Sequence, residues 1–159
     1  MGSKKPTFEQ AMNAAFLWCS AWENGEISDE VLADRVSELL STRDGARGFF
    51  VISLASDCPI LDRLPDSLLM QLRAAGEIVV DLTTRNLAMS SAMSIEHERN
   101  QDLTKLAGSK RVTSRCIDLL GLLDTNQVKK RLETLLNATS GKGKDVDFLR
   151  RWGYDNEQK

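Results

Sequence analysis

The sequence predicts an all-α protein: an irregular bundle of about six to eight helices with a long central helix near residues 77–100. Three observations carry this. Apolar residues recur at spacings of three and four, as in Leu32, Val36, Leu39 and Leu40, and again in Val128, Leu132, Leu135 and Leu136. Helix start and stop signals bracket those runs. Only 3 prolines and 10 glycines punctuate the chain, too few for a β-sandwich with a turn every ten residues or so.

Taken in order, Thr7 caps the first helix and Gln10, three positions on, completes a capping box. The helix stops at Asn24-Gly25. Ser28 caps the second, with Ile27 and Leu32 placed as a hydrophobic staple. Residues 46–55 contain Phe49, Phe50, Val51 and Ile52, which favour strands, but nothing alternates with polar residues and no partner strand follows. They are expected to form a buried helix. Pro59 and Pro65 bracket a loop, after which helix resumes at Asp66 with a bend near Gly76. From Glu77 to Asn100 there is no stop signal, enough for a helix of about 36 Å. A sixth helix, loosened at Gly108, carries Val112, Cys116, Leu119, Leu120 and Leu123, and a seventh follows. "SGKGK" at 140–144 reads as a flexible break before a short last helix with Phe148, Leu149 and Trp152. The whole is read as one domain, residues 1–159, frayed at 1–6 and 154–159.

Composition narrows the function classes. At 159 residues, with 42% apolar and 28% charged side chains, the chain can bury a proper core without a metal or disulfide staple. No export signal is legible in "MGSKKPTFEQ", and the apolar run 11–22 is too short for a bilayer, so a cytoplasmic protein with no membrane association is expected. Cys19, Cys58 and Cys116 are odd in number and fit neither a CxxC motif nor a disulfide framework; they read as small core residues. Residues 1–103 hold 9 Lys+Arg against 16 Asp+Glu, and residues 104–159 hold 12 against 7. An acidic front and a basic back can attract an anionic partner or pair with a second copy.

"NLAMSSAMSIEHERN", residues 86–100, is the stretch most open to a catalytic reading. Its small residues are explained by close helix packing, with serine hydroxyls returned to the carbonyl four residues back. Asp81 and Arg85 stand four apart in the acid-first order and read as a partly buried ion pair. His97 is the only histidine, and Glu96 and Glu98 leave a helix on opposite sides, so "EHE" cannot converge on one metal. Asp81, Arg85, Glu96 and His97 are therefore a weak polar-site candidate, with no metal and no cofactor expected. There is no GxSxG elbow and no phosphate-loop spacing.

Two surfaces remain. Arg111, Arg115, Lys129, Lys130 and Arg131 are candidates for an anion or nucleic-acid site, the secondary reading for the basic half 104–151. The first helix, "AMNAAFLWCSAW", is apolar on nearly every side: Met12, Ala15, Phe16, Cys19 and Trp22 can face one way, while Ala11, Ala14 and Trp18 remain. With residues 46–55 and 78–95 also strongly apolar, some of this surface is expected to lie in an interface, with Trp18, Trp22 and Phe16 as its anchors. The leading reading is a non-enzymatic helical interaction protein that binds a protein partner or self-associates, for instance as a homodimer.

Overall fold

The computed structural model describes residues 5–139 and Asp145. Among the described residues there are seven helices and no strand. They are α1 (Phe8–Glu23), α2 (Asp29–Leu40), α3 (Arg43–Ala55), α4 (Asp66–Ala75), α5 (Glu77–Arg99), α6 (Leu103–Leu120) and α7 (Thr125–Thr139). The expected break at 140–144, the last helix around Phe148 to Trp152 and the frayed extremes at 1–4 and 154–159 lie outside the described residues. The chain divides into two compact units, residues 1–83 and 84–159, and the division falls within α5.

In the first unit, local chemistry sets the helix ends. The Thr7 hydroxyl accepts from the Gln10 amide at 3.1 Å while the Gln10 side chain accepts from the Thr7 amide at 3.0 Å, which is the expected capping box. Ser28 caps α2 by accepting from Val31, and Thr42 caps α3 by accepting from Gly45. The ambiguous residues 46–55 are helical, and Phe49, Phe50 and Leu54 are buried. Val51 sits on the outer face of α3, so this helix is amphipathic rather than buried all round.

The closest packing is α1 on α3, and it settles which side of α1 faces inward. Phe16 does not face inward with Ala15 and Cys19. The inward stripe is Ala11, Ala15 and Cys19, spaced four and four, and all three are buried. The cause is Gly48: a β-carbon there would stand 2.5 Å from the Ala11 β-carbon and 2.8 Å from the Met12 amide nitrogen. Two helices this close admit only small residues between them, so the large side chains of α1 are turned away.

Gly76, where a bend was expected, ends one helix and starts another. Its φ of +64° is left-handed, and its carbonyl accepts from Val79 and Val80 in the first turn of α5. In the second unit, α6 runs unbroken through Gly108, contrary to the expected loosening; one glycine lowers helix propensity by only about 1 kcal/mol. Asp102 caps α6 by accepting from the Lys105 amide, and Asp124 accepts from the Gln127 amide at the start of α7. Serine back-bonding occurs as expected on α5, where Ser94 donates to the Ser90 carbonyl at 2.9 Å. The Ser90 and Thr113 hydroxyls meet at 2.8 Å, a side-chain link from α5 to α6. Among the described residues no helix is long and apolar enough to cross a membrane.

Candidate functional site

With its small residues against α3, α1 presents an outward edge. Phe16 is 57% exposed and Leu17 is 65% exposed, next to each other. Glu9, Gln10, Asn13, Glu23 and Asn24 surround them and are also exposed. Glu9, Phe16 and Glu23 are spaced seven and seven, so they fall along one side of the helix. The helix carries no basic residue.

The two tryptophans expected as anchors are held closer to the body of the unit. The Arg35 guanidinium lies over the Trp18 ring at 5.0 Å. Trp22 donates from Nε1 to Asp29 Oδ1 at 2.7 Å and has Arg63 over its ring at 5.7 Å. Both rings are half-buried. Leu17, which did not stand out in the sequence, is the most exposed large apolar residue of α1. Its signal was its position one step from Phe16, legible only once the inward stripe is known.

Of the polar candidates, Asp81 belongs to the first unit and Arg85, Glu96 and His97 to the second. Asp81 receives a hydrogen bond from Arg43 of α3 at 3.0 Å, a pairing that local spacing could not indicate. Arg85 is half-buried, Glu96 is exposed, and His97 is half-buried near the end of α5, where its carbonyl accepts from the Asp102 amide. Among the described residues no group of three or more His, Cys, Asp or Glu side chains is placed to hold a metal ion.

The basic candidates differ in exposure. Arg111, Lys129 and Lys130 are exposed. Arg115 is only 4% exposed, beside buried Cys116. Arg131 is engaged by Asp145 through both guanidinium nitrogens, with Nη2 to Oδ1 at 2.9 Å and Nη1 to Oδ2 in still closer contact; the Asp145 side chain is 2% exposed.

The second unit also holds an open groove of about 410 Å³ between α5 and α6. Ser91 and Ser94 line one side, and Lys110, Ser114, Ile117 and Asp118 the other. Thr113 lines it too, but its hydroxyl already donates to the Ser109 carbonyl at 3.0 Å. Ile117 is 56% exposed along the groove.

Cys19, Cys58 and Cys116 form no disulfide, and all three are buried. Burial pushes Cys116 up to about 12, since a thiolate there would lose its hydration. Cys19 is raised further, first by burial and then by the neighbouring Cys58, whose Sγ approaches the Cys19 carbonyl at 3.6 Å. At neutral pH Cys19 and Cys116 are therefore protonated and poor nucleophiles.

One family matches the chain across residues 7–159, which is nearly its full length. The chain belongs to the family described as uncharacterised conserved protein UCP020893. No curated protein and no solved structure matches it.

Proposed function

We propose that this protein is a non-enzymatic, cytoplasmic interaction protein that binds a protein partner, a second copy of itself included, through the outward edge of α1. The observation that carries the reading is the adjacent exposure of Phe16 and Leu17 on a helix whose other side is locked onto α3 by Gly48. The edge cannot be buried by rolling the helix inward, because the inward side has room only for Ala11, Ala15 and Cys19. Covering each of the two side chains would contribute about 1.5–3 kcal/mol. Association itself costs about 4–15 kcal/mol, so the polar rim must contribute and the contact must extend beyond this pair.

Binding of an anionic ligand or nucleic acid through residues 104–151 has weaker support. Of its five candidate cations, Arg115 is buried and Arg131 is engaged by Asp145. Phosphate recognition needs several accessible cations on one surface.

The test compares wild type with Leu17→Asp. Proteins captured by wild type and lost on the variant are purified and titrated back by calorimetry. Leu17→Asp is expected to weaken the measured affinity at least 10-fold while the melting temperature stays unchanged. An affinity indifferent to Leu17→Asp would remove α1 as the docking edge.

A further inference from the structure

Resting on that reading, we infer that the occupant of the α1 edge is a second copy of this chain, which receives α1 in its groove between α5 and α6. The two helices, α1 and α6, match in spacing and carry opposite charge at the matched positions. On α1, the exposed Phe16 has Glu9 seven residues before it and Glu23 seven residues after it. On α6, the exposed Ile117 has Lys110 seven residues before it, and both line the groove. Seven residues span about 10.5 Å of helix in each case. With Phe16 seated on Ile117, a glutamate of α1 therefore stands level with Lys110: Glu9 if the helices run parallel, Glu23 if they run antiparallel.

The walls of the groove suit a helix better than a small polar ligand. Serines at 91, 94 and 114 let a helix backbone approach closely. Two of the lining hydroxyls, Ser94 and Thr113, already donate to carbonyls of their own helices and offer little to a ligand. The larger charge balance runs the same way. Residues 1–83 contain 7 Lys+Arg against 13 Asp+Glu, and residues 84–159 contain 14 against 10. The obvious competitor is α1 against α1 of a second copy. Antiparallel pairing about a twofold axis sets Glu9 opposite Glu23 of the other copy at both ends of the contact, whereas the groove sets Lys110 against one of the two glutamates, its other charged side chain being Asp118 next to Ile117.

An edge that docks into a different surface makes a head-to-tail contact, which propagates into rings or chains rather than stopping at a dimer. The experiment is sedimentation velocity on the purified chain over a concentration series, with Phe16→Asp, Ile117→Asp and their equimolar mixture. Wild type should form species larger than a dimer as concentration rises, and each variant alone should associate at least 10-fold more weakly. The mixture should form dimers and nothing larger, because only one intact edge and one intact groove remain between the two variants. Lys110→Glu should weaken wild-type assembly, and added salt should do the same. Circular dichroism checks the fold; a variant that fails it is replaced by Phe16→Ala or Ile117→Ser. A mixture that stays monomeric, or an Ile117→Asp variant that assembles like wild type, overturns the inference. If Phe16→Asp alone dissociates the assembly, the α1 edge still docks a protein and only the groove is wrong. A wild type that is monomeric throughout the series also overturns the inference, and leaves the capture experiment with Leu17→Asp to decide the broader reading.

Discussion

Gly48 and Ala11 meet where α3 crosses α1, at a separation that leaves no room for one further carbon. A β-carbon at position 48 would collide with the Ala11 side chain and with the backbone at Met12, which cannot swing away as a long side chain can. Gly48→Ala would ordinarily stabilise a helix interior by up to about 1 kcal/mol. Here overpacking dominates, and a net loss of about 1–3 kcal/mol is expected in urea unfolding. Shortening the partner with Ala11→Gly should recover only part of the loss, since the Met12 backbone contact remains. A Gly48→Ala protein as stable as wild type would show that α1 and α3 can part without cost.

Arg131 and Asp145 form a two-pronged ion pair in the second unit, with little solvent to screen it. Removing one partner strands the other charge, so Asp145→Ala and Arg131→Ala should each cost about 3–5 kcal/mol. Replacing both with leucine should cost far less than the sum of the single changes, because no charge is left buried. Additive losses in this cycle would mean that the two residues stabilise the unit independently.

Gln101 follows α5 with φ of +58°, the left-handed region that residues with a β-carbon disfavour. Glycine is the usual residue at this place after a helix. Gln101→Gly should therefore stabilise the protein by up to about 1 kcal/mol, the strain relieved outweighing the extra freedom of the unfolded chain. A lower urea midpoint would show that the Gln101 side chain contributes more than its backbone costs.

The seven described helices were legible because their signals are local. Thr7 with Gln10 and Ser28 use hydrogen bonds that span three residues, and the strand-like 46–55 segment lacked both alternation and a partner. The candidate site was less legible for the opposite reason. A stretch apolar on every side, such as "AMNAAFLWCSAW", does not state which side faces in; Gly48, over thirty residues away, decides that Phe16 and Leu17 face out. Trp18 and Trp22 were singled out by size, yet Arg35, Arg63 and Asp29 hold them to the body of the unit. The basic residues divide on similar grounds. Arg111 and Arg115 are one turn apart, but Arg115 lies beside Cys116 in the buried layer, and Arg131 depends on an aspartate 14 positions away.

Alkaline pH should destabilise the fold through its buried thiols. Cys116 is completely buried, and its thiol is pushed from 9.0 to about 12 because a thiolate there would lose its hydration. Below pH 9 the thiol holds its proton in both the folded and unfolded chains, so stability does not depend on pH through this group. Above pH 9 the unfolded chain releases that proton while the folded chain keeps it. Stability therefore falls as pH rises, by up to about 1.4 kcal/mol per pH unit, until the folded thiol also ionises near pH 12. Cys19, raised further by burial and by Cys58, works in the same direction. Lysine and tyrosine also titrate in this range, so the informative quantity is the difference between wild type and Cys116→Ala. Urea unfolding at intervals from pH 7 to 11 should give two curves separated by a constant offset below pH 9. The offset is the sulfur's lost packing. Above pH 9 the curves should converge, because only wild type loses the Cys116 contribution. Curves that stay parallel up to pH 11 would mean that water reaches the thiol and that α6 is less tightly seated than its burial implies.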